Sequence, residues 1–185
     1  VRLEFKGNTP VLRFNSSADI KCEQLWLRAD RFDNRVTLLN YIATAPPPKI
    51  NGHVMPGFVP ARHLKRSTHP SDLFERLQNE EHVDMKALGL DLDVEKQGLE
   101  EMAPELWGQW IDYHTERERA WFETLRYLMI NEPSDLTMVV FDGVDKIQHL
   151  AYRYMDPNLI PDNPSVWETN IIARCRNYFS KLDDH

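Results

Sequence analysis

Asp145 and His149 are the two side chains whose types and spacing could do chemistry together. They are four residues apart, and on an α-helix this spacing places both on one face, with roughly 6 Å between their roots. A carboxylate and an imidazole suit zinc or manganese. Because catalytic zinc commonly has three protein ligands and an open position, the pair predicts half of a metal site. The alternative is that Asp145 caps the helix and His149 packs beneath it, since a D-x-x-x-H pattern is weakly specific.

The residues before this pair predict a buried strand that would position it. Residues 136–141 read LTMVVF, a continuous apolar run typical of a parallel strand covered on both faces. The run ends in Asp142-Gly143, and a helix is expected from Asp145 to about Tyr154. Ligands of open α/β sheets bind beyond the carboxyl ends of the strands. The pair is therefore predicted to lie at the functional edge of a sheet.

A second strand and its flanking segments indicate the same fold class. Residues 36–42 read VTLLNYI and predict another buried strand, preceded by a short helix over residues 23–32. Residues 45–57 contain APPP, NG and PG and predict a structured loop, because each proline removes a hydrogen-bond donor. Helices alternating with buried strands predict an α/β fold.

Residues 104–130 form an amphipathic pattern that predicts one long helix, or two. The ERER segment 116–119 is assigned to the side opposite its aromatic stripe. The stripe could line a substrate cleft, but an aromatic stripe is more often core, and its histidine is expected to be packed. The residues of the stripe are Trp107, Trp110, Ile111, His114, Trp121, Leu125, Leu128 and Met129.

Residues 61–70 form a basic patch that could meet a phosphate, with solvated loop charge as the alternative. Its charged members are Arg62, His63, Lys65, Arg66 and His69. Residues 71–77 predict a short helix. A calcium loop from Asp91 is excluded, because Lys96 and Met102 stand where glycine and a bidentate carboxylate are needed.

Composition describes an ordinary globular chain and excludes several classes of function. The chain has 185 residues, of which 42% are hydrophobic, and its net charge of -7 argues against a nucleic-acid-binding surface. Cys22 and Cys175 suggest neither a disulfide framework nor a thiolate metal site. No apolar run approaches the ~18 residues that cross a bilayer. We expect a soluble protein without a membrane segment, with a cytoplasmic location favoured and the oligomeric state open.

The segment 141–149, FDGVDKIQH, together with Tyr152 and Asp156, resembles a segment of the type I phosphodiesterase and nucleotide pyrophosphatase family of the alkaline phosphatase superfamily. In that family an acidic residue, and often Arg-x-Gln-His, follow a strand. Residues 178–183 resemble the helix that precedes the family's Ser-Asp-His-Gly strand. Further motifs are similar in order to the stretch between the family's nucleophile and its cap: Ser16, Ser17, Asp19, Leu25-Trp26, Arg35-Val36, Asn40, Pro46-Pro47, Asn51-Gly52, Gly57 and Pro70. Departures stand at Ile42, Ala45 and Lys146, where relatives often have proline, an aromatic residue and arginine.

The resemblance implies a fold and a division of the chain. Residues 1–78 and 128–185 would belong to an alkaline-phosphatase-like parallel sheet with flanking helices. Residues 79–127 would form a mostly helical cap insertion. The ending of the chain in a helical pattern and its lack of an initiator methionine suggest an interior fragment of a longer protein.

The resemblance also implies an activity. Family members use two divalent metal ions, here zinc or manganese, to activate a Thr or Ser nucleophile. Their substrates are small phosphodiesters or nucleotide-like pyrophosphates, and Asp145 and His149 match two ligands of one ion. The nucleophile and the other ligands would lie outside residues 1–185, so the chain alone is predicted to be inactive, with no catalytic residue of its own. The alternative is a non-enzymatic binding module that uses the aromatic stripe and the basic patch.

Overall fold

The computed structural model describes residues 2–13, 15–99 and 102–185. The strands are β1 Arg2–Lys6, β2 Thr9–Arg13, β3 Val36–Tyr41, β4 Gly52–Pro56 and β5 Leu136–Val139. The first helices are α1 Leu25–Arg31, α2 Ala61–Leu64, α3 Leu73–Gln78, α4 Met85–Leu88 and α5 Leu92–Leu99. They are followed by α6 Trp107–Asn131, α7 Gly143–Ala151 and α8 Val166–Asp183. The chain is therefore a mixed α/β protein.

Strands β3, β4 and β5 form a parallel sheet in the order β4-β3-β5. The central strand β3 is buried along nearly its whole length, because neighbours cover both of its edges and helices cover both of its faces. Val36, Leu38 and Val54 pack towards α1, whereas Leu39 and Met55 pack towards α3, α4 and α6. The two predicted strands and their parallel sheet are thus confirmed, but β5 is only half-buried because it lies at an edge of the sheet.

Strand β4 corrects the prediction of a structured loop over the whole of residues 45–57. The glycine and proline that suggested turns stand at the two ends of this short strand. Gly52 has a φ of 133°, and a β-carbon there would lie 2.0 Å from the carbonyl oxygen of Val36. Glycine is therefore needed at this position because two backbones approach closely.

Helix α6 is one continuous helix of 25 residues, and its aromatic stripe is core except for Met129, which is exposed. Trp121 and His114 are fully buried, and Trp110 is nearly so, so this stripe does not line an open cleft. The helix crosses the predicted boundary between residues 127 and 128. Its Ala120, Trp121 and Leu128 share one apolar cluster with Leu39 of the sheet. The division into core and cap remains a prediction.

The N-terminal strands β1 and β2 form an antiparallel hairpin that the sequence analysis did not predict. Leu3 pairs with Leu12, and the two side chains are 59% and 66% exposed. The predicted short helices at residues 23–32 and 71–77 correspond to α1 and α3. In the part of the chain that the structure describes, no helix is long and apolar enough to cross a membrane.

Candidate metal site

Asp145 and His149 lie on one exposed face of α7, beyond the carboxyl end of β5. Their side chains are 79% and 81% exposed, and Asp145 Oδ1 is 3.4 Å from His149 Nε2. His149 therefore does not pack beneath the helix. The N-cap position of α7 belongs to Asp142. The geometry places the two predicted ligands together in solvent, where other ligands could reach them.

The pair does not complete a metal site by itself. Across residues 2–13, 15–99 and 102–185, no group of three or more His, Cys, Asp and Glu side chains is arranged to hold a metal ion. Because catalytic zinc commonly has three protein ligands, this pair needs at least one more. The two side chains are chemically suited to zinc or manganese, and their role as ligands stays a prediction.

Asp142, the acidic residue nearest to the pair in the sequence, is occupied by other partners. It is buried, accepts a hydrogen bond from Arg117 Nη1, and has Lys146 Nζ 2.7 Å from its Oδ2. Burial alone would raise the pKa of Asp142, but Arg117 and Lys146 outweigh it and hold that pKa well below its usual range. Asp142 is therefore an ionised structural group rather than a free ligand.

Asn40 connects the ends of two strands beneath the site. Its backbone is left-handed, with a φ of 56°, a conformation that asparagine tolerates better than most residues. Its Nδ2 donates to the Val140 carbonyl oxygen at 2.7 Å and to Asp142 Oδ1 at 2.8 Å, and its Oδ1 accepts from Arg117 Nη2 at 2.8 Å. The carboxyl ends of β3 and β5 are thus joined through side chains.

Glu118 holds the first turn of α7 from the neighbouring helix. Its Oε1 accepts the Gly143 backbone N–H at 2.6 Å, and its Oε2 accepts the Tyr178 hydroxyl of α8. Burial raises the pKa of Glu118, and hydrogen bonds from Tyr178 and Gly143 partly oppose that rise. The first N–H groups of a helix have no partner within it, so Glu118 stabilises this terminus.

His114 lies deeper in α6, between the rings of Trp110 and Tyr113. Within the described chain neither of its nitrogens has a hydrogen-bond partner. Burial, followed by the charge of Lys146, lowers the pKa of His114 to about 3. Its 3.8 Å approach to Glu95 is therefore not an ion pair near neutral pH. The expected packed histidine is confirmed.

The remaining candidates have simpler roles. Cys22 is exposed and Cys175 is buried, and both are free thiols. Burial raises the pKa of Cys175 to about 11, so it is a poor nucleophile. In the basic patch, Lys65 is exposed and pairs with Glu75 at 2.8 Å, which agrees with solvated charge. The segment is helical rather than a loop, with Arg62 and His63 in α2 and a 3-10 turn over Lys65–Ser67.

Arg117 and Glu118 are almost fully buried, so the prediction that they lie on the side of α6 opposite the aromatic stripe was wrong. A signal was present for Arg117: with Trp110, His114 and Trp121 it follows the three- and four-residue spacing of the buried face. Its charge concealed that periodicity. Nothing in the sequence marks Tyr178 as the partner of Glu118.

Comparisons of this chain with models of protein families, with curated proteins and with solved structures find no match.

Proposed function

We propose that this chain supplies part of the metal site of a hydrolase that cleaves phosphodiester or pyrophosphate bonds in small, nucleotide-like substrates. The observation that carries the proposal is the 3.4 Å separation of Asp145 Oδ1 and His149 Nε2. Two donors that each bind a tetrahedral zinc ion at about 2.0–2.1 Å are about 3.3 Å apart. The pair therefore has the separation that two ligands of one ion require.

The position of the pair in the fold also supports the proposal. Helix α7 begins four residues after β5 ends, at the edge where β3 and β4 also end. Open α/β sheets bind their ligands at this edge. Asp145 is the third residue of α7, where the positive end of the helix dipole favours a carboxylate.

The charged side chain next to the pair, Lys146, does not compete with a metal ion for Asp145 and His149. Lys146 Nζ points to Asp142 and Glu95, so its charge is already paired beside the site. Asp145 would bring negative charge to a cation, and His149 would bind through a neutral imidazole nitrogen. A bound ion would supply Lewis-acid stabilisation of charge on the phosphoryl group.

No residue of this chain is assigned as the nucleophile. Under the proposal, the nucleophile and the remaining ligands lie outside residues 1–185, so the chain alone does not turn over substrate. The alternative, a non-enzymatic binding module, would need the aromatic side chains of α6 at the surface, but Trp110 and Trp121 are buried. The hydrolase is therefore the function that the geometry favours.

The test is hydrolysis of bis-p-nitrophenyl phosphate by the longer protein that contains this chain, with zinc or manganese added. The double variant Asp145→Asn plus His149→Ala is compared with wild type. A matched control neutralises another exposed ion pair, Glu116→Gln plus Arg119→Gln. We expect the first variant to lose at least about 100-fold in activity, since weaker changes around metal ligands already cost 10- to 100-fold. Equal activity in all three folded proteins would reject the proposal.

A further inference from the structure

We infer that Arg117 and Glu118 of α6 are positioning residues that fix the orientation of Asp145 and His149, an inference that rests on the proposed function. Neither residue lies on the exposed face of α7. Both contact residues at the junction between β5 and α7: Arg117 binds Asp142, and Glu118 binds the backbone N–H of Gly143. These residues set the direction in which α7 leaves the sheet. The helix is only nine residues long, so a small change at its first turn moves both candidate ligands.

The junction is held from three sides. Arg117 binds Asp142 directly and reaches Asn40 of β3 at 2.8 Å. Glu118 accepts the Gly143 N–H at 2.6 Å and joins it to Tyr178 of α8. Strand β3 and helices α6 and α8 therefore all meet at the residues that begin α7.

The polar contacts of Arg117 and Glu118 indicate that these residues orient α7 rather than only fill space in the core. Arg117 and Glu118 are 1% and 2% exposed, and burying charged groups is costly unless each is closely paired. Apolar side chains of similar volume often stabilise such positions equally well. Directed hydrogen bonds, by contrast, fix the angle between two elements. Outer partners of this kind usually orient the ligands of a metal site.

The steric fit around the junction is equally tight. A β-carbon at Gly143 would lie 2.8 Å from Glu118 Oε1 and 2.9 Å from the Tyr178 hydroxyl oxygen. A β-carbon at Gly57 would lie 2.2 Å from the Asn40 carbonyl oxygen. Glycine at position 143 lets α7 lie close to Glu118 and Tyr178, and glycine at position 57 lets the end of β4 lie close to Asn40. The junction therefore has little freedom to adopt a second arrangement.

The experiment is a Mn²⁺ titration of the 185-residue protein, followed by paramagnetic broadening of the His149 ring signals. Arg117→Met and Tyr178→Phe test the two halves of the network, and Arg117→Lys tests rescue by a retained charge. Leu77→Ala is the control, because Leu77 belongs to a different apolar cluster from the one that contains Ile147 and Ala151 of α7. Circular dichroism confirms that each protein is folded under the conditions of the titration.

We expect about tenfold weaker Mn²⁺ binding in Arg117→Met and Tyr178→Phe, partial recovery in Arg117→Lys, and no change in Leu77→Ala. Unchanged affinity in the first two variants would overturn the positioning role while leaving the metal pair in place. Equal broadening at His149 in the wild type and in Asp145→Asn would instead show that the two side chains do not share an ion, which would reject the proposed function and the positioning role with it. The Tyr178→Phe variant keeps the test decisive if Arg117→Met does not fold.

Discussion

The buried histidine of α6 makes the stability of this protein sensitive to acid. His114 is fully buried, and its pKa falls from 6.5 to about 3 because of burial and the nearby charge of Lys146. The folded state therefore holds the imidazole neutral, whereas the unfolded chain protonates it near pH 6.5. Stability from this group is fully present above pH 6.5 and is lost as the pH falls towards 3.

The size of the effect follows from the two pKa values. Each pKa unit corresponds to about 1.4 kcal/mol, so between pH 8 and pH 5 the wild type should lose about 2 kcal/mol through His114 alone. In His114→Leu this loss should disappear, because leucine has a similar volume and does not titrate. Other groups, including His53, whose pKa burial also lowers, are present in both proteins and cancel in the comparison.

The assay is urea unfolding at pH 8, 7, 6 and 5, with the free energy of unfolding extrapolated to water for each protein. The control is His82→Leu, which replaces an exposed histidine. We expect the pH dependence of His82→Leu to match that of the wild type and that of His114→Leu to be shallower. Parallel pH profiles for all three proteins would show that His114 is not held neutral by its surroundings.

Two further predictions concern the junction and the sheet. The wild type should lose free energy of unfolding as the pH rises above 4.5, because the pKa of Glu118 is raised in the folded state, and Glu118→Gln should make this loss smaller. Urea unfolding of both proteins at pH 5 and pH 8 measures the loss. An equal loss in the two proteins would contradict the prediction. Gly52→Ala should lower the free energy of unfolding by about 1–3 kcal/mol more than Gly7→Ala, because only at Gly52 would the β-carbon meet backbone, 2.0 Å from the Val36 carbonyl oxygen. Chemical unfolding of both variants checks this, and equal losses would count against the close approach of β3 and β4.

The two strands with continuous apolar runs could be predicted from the sequence. The continuous apolar runs at residues 36–42 and 136–141 led to β3 and β5, since such runs are typical of parallel strands covered on both faces. Strand β4 was missed because its five residues are bounded by glycine and proline, which locally resemble turn signals. Its pairing with β3 is a long-range interaction that no local pattern encodes.

The candidate site was predictable only in its local part. Asp145 and His149 are one helical turn apart, so their proximity follows from helix geometry alone. The network around Asp142 joins residues up to 102 positions apart, as in its bond with Asn40. Arg117 and Glu118 were assigned to the opposite side because charged residues are rarely buried, a rule that fails where each charge meets a specific partner.

Under the proposed function this chain is part of a longer hydrolase, and the most direct test is the location of zinc in crystals of that hydrolase, measured by anomalous scattering at the zinc absorption edge. We expect a peak within about 2.0–2.2 Å of an Asp145 carboxylate oxygen and a His149 ring nitrogen. A zinc ion bound elsewhere in an active hydrolase, with Asp145 and His149 still paired only to each other, would contradict it.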